Sequence, residues 1–521
     1  MEHVSGNIVD IFNKRIYPGT IEVLDGEIAH IKEESNSYEH YIIPGFIDSH
    51  IHIESSMLTP SAFASIAVSH GTVATVSDPH EIANIMGLDG VYYMIRDASK
   101  TPFKSYFGAP SCVPATIYET SGSRLGVEEV ETLLRDENIL FLSEVMNVPG
   151  VINREQELME KIALSIKYGK KIDGHAPGLR GEALKLYINA GITTDHESLS
   201  LEEAEEKIKN GMSIQIREGS GAKNFDTLYK LIDKYPDRCM FCSDDLHPDD
   251  LVKGHINKMV VRAVDAGINI WNVLRCASLN PVKHYGLNVG LLRKHDPADF
   301  IIVDNLKEFN ILKTYIDGEC VADSKGIYID RFLPERVNNF NVGYKKEGEF
   351  SVEKCGGLIN VIGAIDGELI TERLLEEAEN SNGEIISDTN RDILKIAVVN
   401  RYKDAPISIG FIKNFGFKEG AIASSVAHDS HNIVAVGVSN KDICRAVNLI
   451  IEHRGGLSAV SKNREKILPL PIGGIMSDRD GYTVAKDYAE LNRIATKMGT
   501  TLRAPFMTLS FMALLVIPHI K

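Results

Sequence analysis

The chain has 521 residues, a hydrophobic content of 44%, a charged content of 25% and a formal net charge of −16. This length exceeds one compact core and predicts two or three domains of ordinary globular composition. Because no basic block compensates the negative charge, we expect no nucleic-acid partner and no anionic membrane surface; a small neutral or cationic substrate fits better.

The cysteines and the chain ends indicate the compartment. Seven scattered cysteines, an odd number, do not resemble the disulfide framework of a secreted protein. Cys239 and Cys242 form a CxxC pair inside an apolar run, which predicts strand packing rather than redox or zinc chemistry. The N-terminus lacks a secretory signal, and the apolar tail 506–520 is interrupted by Pro518 and too short to span a bilayer. We therefore expect a cytoplasmic protein without a membrane segment.

Repeated βα units dominate the first half of the chain. After about 40 residues of short predicted strands with turns, apolar runs recur every ~20–35 residues up to about residue 250. These predicted strands are Tyr41–Ile47, Thr72–Val76, Tyr106–Phe107, Ile139–Leu142, Lys171–Ile172, Ile192–Thr194, Ser213–Ile216 and Cys239–Cys242. Helix-like segments lie between them, at Val127–Arg135, Glu155–Lys167, Gly181–Asn189, Leu201–Asn210 and Phe225–Lys234. Eight such units predict an α/β fold built on a (β/α)8 TIM-type barrel.

The flanking segments predict two further domains. Strands return at 298–303 and 314–322, and we expect them to pair with the N-terminal strands. Later strands at Leu358–Ile362, Ile393–Val399 and Ile433–Val438 mix with helices at Lys441–His453 and Thr483–Met498. The predicted organisation is a small β-sandwich domain of residues 1–43 and 285–330, a barrel of 44–284, a polar linker of 331–348 and a C-terminal α+β domain of 349–521.

Polar side chains follow nearly every predicted barrel strand. In order they are His50 and His52, Asp78, Ser111, Glu144, His175, His196, Arg217 and Asp244. Because the carboxyl ends of parallel barrel strands meet at one mouth, we expect these side chains to share one site. Polar residues that merely mark strand ends account for Ser111 alone, and not for four histidines and several carboxylates.

The histidines and carboxylates are sufficient for two metal ions. His50 and His52 are two apart, which on a strand directs both imidazoles to one face. We expect one ion between these histidines and Asp244, and a second ion at His175 and His196. Glu144 stands where it could bridge the two ions. Metal-bound water loses a proton near neutral pH and becomes a strong nucleophile, and Asp244 could both bind metal and take that proton.

Two pairs near the mouth admit a functional and a structural interpretation. Asp78 and His80 could bond substrate, or Asp78 could cap the helix that begins near Glu81 through its Asp-Pro turn. Arg217 and Glu218 could contact substrate, or pair with each other and orient their neighbours.

His428 and His431 also remain open at this point. They precede a predicted strand of the C-terminal domain and could reach over the barrel mouth as part of a lid, or bind a further ion. They could equally form a polar turn that satisfies its own backbone.

Several segments together resemble a known family. Pro44–His52 is similar to the opening motif of the amidohydrolase superfamily. The resemblance narrows to the adenine deaminase family of bacteria and archaea, and covers essentially the whole chain, through Asp78–Asn84, Asp173–Gly178, Asp195–Ser198, Ile216–Ser220, Ser243–Asp245 and Ala427–Asn432. It implies hydrolytic deamination of adenine to hypoxanthine and ammonia in purine salvage, at a two-metal centre that usually contains manganese or iron, with zinc also possible. We further expect a homo-oligomer, a dimer.

The resemblance also implies a mechanism and an alternative. A hydroxide that bridges the metals would add to C6 of adenine, Asp244 would accept the water proton, and a carboxylic acid would protonate N1. In the distinct adenosine deaminase family that acid is a glutamate three residues after the strand-five histidine, where this chain has Gly178. We therefore expect Glu144 or Glu218 as the proton donor. The expected substrate contacts are Asp78, His80, Arg217, Ser220 and His428.

Another cyclic amidine or amide hydrolase of the superfamily is the alternative function. Relatives that cleave cyclic amides, such as dihydroorotase and hydantoinase, carry a carbamylated lysine where this chain has Glu144. The 427–432 segment also has no evident purpose in such an enzyme.

Overall fold

The chain begins with four strands that form half of a small β-domain. The structure is a computed structural model in which residues 2–354, 356–367 and 370–515 are described. The four strands are β1 (Glu2–Asp10), β2 (Arg15–Leu24), β3 (Glu27–Glu33) and β4 (Tyr41–Pro44). β1 pairs antiparallel with β2 and parallel with β4.

Eight parallel strands then form a closed barrel. They are β5 (Phe46–Ile51), β6 (Thr72–Ser77), β7 (Lys104–Ala109), β8 (Ile139–Val145), β9 (Lys171–Gly174), β10 (Thr194–Asp195), β11 (Ser213–Arg217) and β12 (Cys239–Cys242). β5 to β9 form one ladder and β10 to β12 another. Backbone hydrogen bonds from Thr193 N to Ile172 O (2.9 Å) and from Asp244 N to His50 O (3.0 Å) join the two ladders at both seams. The predicted barrel is confirmed.

Helices connect the barrel strands and cover their outer face. They are α1 (Pro60–Ala67), α2 (His80–Met86), α3 (Leu88–Ala98), α4 (Val127–Arg135), α5 (Val148–Ile152), α6 (Gln156–Lys167), α7 (Gly181–Asn189), α8 (Leu201–Lys209), α9 (Phe225–Leu228), α10 (Leu231–Lys234), α11 (Pro248–Leu251), α12 (Ile256–Asp265), α13 (Ile270–Leu274) and α14 (Asn280–Tyr285). The predicted helix Phe225–Lys234 is in fact two short helices, α9 and α10.

One predicted strand divides between two domains. The apolar run Tyr41–Ile47 contains β4, which belongs to the small β-domain, and the start of β5, which belongs to the barrel. Gly45 separates them at a close approach, because a Cβ there would lie 2.5 Å from Val73 of β6. Periodicity could not reveal this change of sheet, since the run is apolar on both sides of the glycine.

Four strands after the barrel complete the small β-domain. They are β13 (Phe300–Val303), β14 (Ile311–Ile316), β15 (Glu319–Asp323) and β16 (Gly326–Ile327). β13 pairs with β4, so the eight strands form one continuous sheet in the order β16-β15-β14-β13-β4-β1-β2-β3. Its two halves share a core that includes Ile21, Ile28, Phe300 and Tyr315.

The rest of the described chain forms the C-terminal α+β domain. Residues 328–346 contain no helix or strand. The strands that follow are β17 (Leu358–Ala364), β18 (Thr371–Glu377), β19 (Asn380–Ser381), β20 (Glu384–Ile385), β21 (Ile393–Val399), β22 (Ser408–Lys413), β23 (Ala421–Ser424), β24 (Ile433–Gly437), β25 (Gly456–Ser461) and β26 (Arg464–Pro469). The helices are α15 (Asn440–His453), α16 (Gly481–Lys497) and α17 (Pro505–Ser510).

An eight-stranded mixed sheet is the centre of this domain, in the order β18-β17-β22-β21-β24-β23-β25-β26. Helix α15 packs its apolar side on this sheet, where Ile443, Val447 and Ile450 share a core with Ala423 and Ala435. Within the three described ranges, every helix is too short or too polar to cross a membrane. The end of the apolar tail, residues 516–521, lies outside the described residues.

Candidate metal centre

All six predicted metal ligands lie at the carboxyl ends of barrel strands and face one mouth. His50 belongs to β5 and His52 follows it, so strand alternation directs both side chains inward, where they are 0% and 3% exposed. The other four lie on or just after β8, β9, β10 and β12; they are Glu144, His175, His196 and Asp244.

His50, His52 and Asp244 form the first donor group. Asp244 Oδ1 lies 3.6 Å from His50 Nε2 and 3.2 Å from His52 Nε2. His52 Nδ1 donates to the Asp78 carbonyl oxygen at 3.0 Å, so the Nε2 lone pair of the neutral ring faces the carboxylates. His50 Nε2 is buried and has no hydrogen-bond partner among the described residues.

Glu144 joins this group to the second one. Its Oε2 lies 2.9 Å from His175 Nδ1 and 3.2 Å from His196 Nε2, whereas its Oε1 lies 3.6 Å from His52 Nε2. The two carboxylate oxygens therefore face different donor groups. Burial opposes the ionisation of Glu144, but the imidazoles of His175 and His196 outweigh it and hold the pKa of Glu144 well below its usual range.

These separations suit metal ions. Two donor atoms that bind one ion at about 2.1 Å lie about 3.0–3.4 Å apart, because the edges of a tetrahedron or octahedron are longer than the metal–ligand bonds. The donor pairs above span 2.9–3.6 Å. His50 Nε2, which is buried and has no hydrogen-bond partner among the described residues, has its lone pair free for a metal ion. The residues present thus fit a divalent metal centre.

Arg217 orients the carboxylate of Asp244. Its guanidinium is 3% exposed, donates from Nη1 to Asp244 Oδ2 at 2.6 Å, and binds both carboxylate oxygens of Glu197. Although burial opposes it, Arg217 holds the pKa of Asp244 well below its usual range, together with His50 and His52. Of the two interpretations of Arg217, the contacts favour the orienting one.

Asp78 and His80 lie at the edge of the cluster, in contact with both the helix start and Glu144. Asp78 Oδ1 accepts the backbone N–H of His80 at 3.0 Å, as a helix-capping residue does. His80 Nδ1 lies 3.3 Å from Asp78 Oδ2 and 3.4 Å from Glu144 Oε1. Its Nε2 lies 3.4 Å from Oε1 of Glu81, the next residue of α2.

The C-terminal domain supplies the opposite wall of the site. His428 Nδ1 contacts Glu81 Oε1, and His431 Nε2 contacts Glu81 Oε2. All three side chains are at most 2% exposed. Burial lowers the pKa of His428, but Glu81, Asp245 and Asp429 outweigh it and raise this pKa to about 9. His428 is therefore a buried cation at neutral pH.

A narrow cavity of about 40 Å³ separates the metal-ligand cluster from this wall. A buried water needs at least ~10–15 Å³ of such space, so the cavity has room for a few waters. On the C-terminal side it is lined by His428, Asp429, Phe511 and Leu514. The barrel side is lined by His52, His80, Glu81, Glu144, Met146, His175, His196, Glu197, Arg217, Asp244 and Asp245.

Glu218 and Ser220, two of the predicted site residues, line neither the cavity nor the donor groups beside it. Glu218 follows the inward-facing Arg217 and turns outward, where it pairs with Arg262 (2.7 Å) and Lys223 (3.0 Å). Ser220 Oγ donates to Asp250 Oδ2 at 2.8 Å and accepts the backbone N–H of His247. These contacts hold both side chains away from the cavity, so the structure does not support the expected catalytic role of Glu218 and substrate role of Ser220.

Glu197 and Glu81 are carboxylates of the site to which the sequence assigned no role. Glu197 follows the predicted ligand His196 and binds Arg217, and Glu81 lies in the first turn of α2, between the barrel and the C-terminal domain. The signal for Glu197 was its position directly after a strand-end histidine. The signal for Glu81 was weaker, since an acidic residue in the first turn of a helix commonly serves only the helix dipole.

Comparison with known proteins agrees with this geometry. Residues 41–321 match the model of the amidohydrolase family, and residues 368–521 match that of the adenine deaminase C-terminal domain. A relative from Sulfurovum sp., named adenine deaminase, is 54% identical over 99% of this chain and 96% of its own. A relative of the same name from Methanosarcina barkeri is 53% identical over 100% of this chain and 96% of its own.

Among solved structures, the β-aspartyl dipeptidase of Fervidobacterium islandicum AW-1 is 16% identical, with a TM-score of 0.48 over 62% of this chain and 96% of that one. The full-length relatives and the two family models cover both the barrel mouth and the wall that faces it. The chain belongs to the adenine deaminase family of the amidohydrolases.

Proposed function

We propose that this chain catalyses the hydrolytic deamination of adenine to hypoxanthine and ammonia. The observation that carries the proposal is the pairing of two halves in one cavity. Metal ligands from the barrel face Glu81 and His428, and His428 belongs to the domain that matches the adenine deaminase C-terminal model. Absorbance assays of the Mn²⁺-loaded protein with adenine test it directly, and no loss of adenine contradicts it.

Two divalent ions are proposed at this centre. His50, His52 and Asp244 would hold one, His175 and His196 the other, and Glu144 would bridge them. The donors are imidazole nitrogens and carboxylate oxygens without a thiolate, a set that suits Mn²⁺, Fe²⁺ or Zn²⁺. We propose Mn²⁺ as the native ion. Metal analysis of protein purified from media that offer each ion would test this choice.

Asp244 is proposed as the base for the attacking water. The bound metal ions would lower the pKa of that water and stabilise negative charge at C6 of the purine. Arg217 occupies Asp244 Oδ2, which leaves Oδ1, the oxygen that faces His50 and His52, to accept the water proton. The same proton can then pass to the exocyclic nitrogen as ammonia leaves.

The Glu81–His428 pair is proposed as the proton source for ring atom N1, in place of Glu144 or Glu218. Both oxygens of Glu144 face metal-site imidazoles, and Glu218 points outside the barrel. Glu81 instead lines the cavity opposite the ligands, and His428 shares its proton with Glu81 Oε1. The pair would take back a proton from the hydroxyl at C6 as the lactam of hypoxanthine forms, so the reaction balances.

Substrate entry requires movement of the C-terminal wall. Ligand pockets commonly measure ~300–1,000 Å³, far more than the cavity of about 40 Å³. Phe511 and Leu514 form the apolar part of the C-terminal wall. The ring of Phe511 stacks on the imidazole of His428 at a centroid distance of 4.5 Å. We propose that adenine displaces this segment and inserts between the metal centre and His428. His80, Asp429 and Asp245 line the same space and could contact the purine edge; Asp78 would act through His80.

Hydrolysis of a cyclic amide is the less favoured alternative. It would leave the C-terminal contacts to Glu81 without a catalytic purpose, and Glu144 stands in place of the expected lysine. Parallel assays with adenine, adenosine, cytosine and dihydroorotate distinguish the two. Turnover of dihydroorotate but not adenine would favour the alternative.

We also propose that the domain boundaries predicted from the sequence hold.

A homodimer is a further proposal. Ile117 and Tyr118 are 88% and 82% exposed and mark an apolar surface near Leu515, which is 43% exposed. Light scattering of the wild type and of the double variant Ile117→Ser with Tyr118→Ser tests this face. A dimer that persists in the double variant would place the interface elsewhere.

A further inference from the structure

His431 occupies an unusual position beside Glu81. It lies 350 residues from Glu81 in sequence, yet its Nε2 contacts Glu81 Oε2. Its backbone φ of +53° lies in the left-handed region, which is uncommon outside glycine, although asparagine, aspartate and histidine adopt it more often than other residues. The direction of the imidazole is fixed by contacts at both of its ring nitrogens, with Ala427 and Glu81.

The second ring nitrogen of His431 determines its tautomer. Nδ1 accepts the backbone N–H of Ala427 at 3.2 Å, and an amide N–H can only donate. Nδ1 must therefore carry the lone pair, and the proton of the neutral ring lies on Nε2, directed at Glu81 Oε2. Burial lowers the pKa of His431 to about 4; Glu81 opposes this shift, and the positive charges of His428 and Arg401 reinforce it.

The two imidazoles that contact Glu81 are consequently unequal. His428 is charged and lines the cavity, and its Nε2 has no hydrogen-bond partner within the described residues. His431 is neutral, and the cavity walls found in the described part of the chain do not include it. His431 thus acts on the carboxylate of Glu81 and not on a molecule inside the cavity.

The tautomer also argues against a third metal ion. Glu81, His428 and His431 lie close enough together to suggest an ion. His431 could bind one only through Nε2, whose proton would have to move to Nδ1. There it would face the Ala427 N–H donor.

We propose that His431 is a positioning residue that fixes the carboxylate of Glu81 for proton transfer. Its Nε2–H occupies Oε2, so that Oε1 alone faces His428 and His80 and exchanges the proton. The backbone of Ala427, in turn, fixes the direction of the imidazole. The inference rests on the proposed deamination and on the role of Glu81 in it.

Two amide substitutions test the contacts of Nδ1 and Nε2 of His431 separately. His431→Asn keeps an acceptor near Nδ1 for Ala427 and tolerates the left-handed backbone, but it does not reach Glu81. His431→Gln places an amide N–H near the position of Nε2 and can still donate to Glu81. We expect His431→Asn to lower kcat by ~10–100-fold with KM for adenine and metal content nearly unchanged, and His431→Gln to recover most of that loss.

A purely structural role predicts the reverse order, because asparagine suits the backbone better than glutamine. Near-normal kcat in His431→Asn, or an equal loss in both variants with lowered metal content or thermal stability, would overturn the proposal. A wild type that does not deaminate adenine would instead overturn the proposed function, independently of the two variants.

Discussion

The two faces of the cavity are built in different ways. The metal face comes from one barrel, whose strand ends supply every proposed ligand between residues 50 and 244. The opposite face joins Glu81 of the barrel to His428 and His431, 347 and 350 residues away. The first face follows from the topology of a parallel barrel, and the second exists only when the C-terminal domain is docked. In the proposed mechanism the barrel supplies the water-activating chemistry, and the second domain completes the acid–base group.

Loss of Glu144, the proposed bridge between the two donor groups, should lower activity more than any other substitution considered. Glu144→Gln removes the negative charge that both groups share, so we expect activity to fall by more than the ~10–100-fold typical of residues outside the coordination sphere. Metal content should also fall below two ions per chain. The matched control is Glu218→Gln, which changes a carboxylate outside the cavity and should preserve both quantities. Full activity of Glu144→Gln with two bound ions would show that Glu144 is not the bridge.

Glu81→Gln tests the opposite face alone. Removal of a positioned acid–base group typically costs ~10²–10⁴-fold in rate, and we expect kcat to fall by that amount. Because Glu81 is not among the proposed ligands, two ions per chain should remain by elemental analysis. Loss of metal in parallel with activity would mean that the two faces are not separable.

The pH dependence of His428 distinguishes the faces further. Its pKa in the folded protein is about 9, above the ordinary value of 6.5. The charged pair with Glu81 therefore contributes its full stability below pH ~6.5 and loses it as the pH rises through about 9. We expect kcat to decline near pH 9 as the proton is lost, and His428→Gln to remove this decline and to flatten the fall in melting temperature over the same range. An unchanged alkaline limb in the variant would assign it to another group.

The smallest effect is expected at Ser220. Its hydroxyl bonds Asp250 and the backbone of His247 rather than the cavity. Ser220→Ala should leave kcat/KM for adenine nearly unchanged and cause at most a loss of stability of about 1 kcal/mol from the broken hydrogen bonds. A substantial rise in KM without a change in stability would return Ser220 to the substrate site.

The metal face of the cavity could be predicted from the sequence, whereas the opposite face could not. The barrel and the convergence of all six proposed metal ligands could be predicted, because strand period and parallel topology direct strand-end residues to one mouth. The outward direction of Glu218 could not be predicted, because it lies beyond the end of β11 and is held by Arg262 and Lys223, which are distant or separated by a loop in sequence. Glu81 could not be assigned, because its partners come from a loop whose docking depends on packing between domains. The change of sheet at Gly45 was hidden for a similar reason, since both sides of the glycine are apolar and only long-range pairing separates them.

The central claim is that two metal ions at the barrel mouth, with Glu144 between them, support the deamination of adenine. The most direct measurement is a titration of the metal-free protein with Mn²⁺ while the formation of hypoxanthine from adenine is followed. The account predicts that activity rises with added metal and reaches its plateau at two ions per chain. A plateau at one ion, activity without metal, or no hypoxanthine at any metal concentration would contradict it.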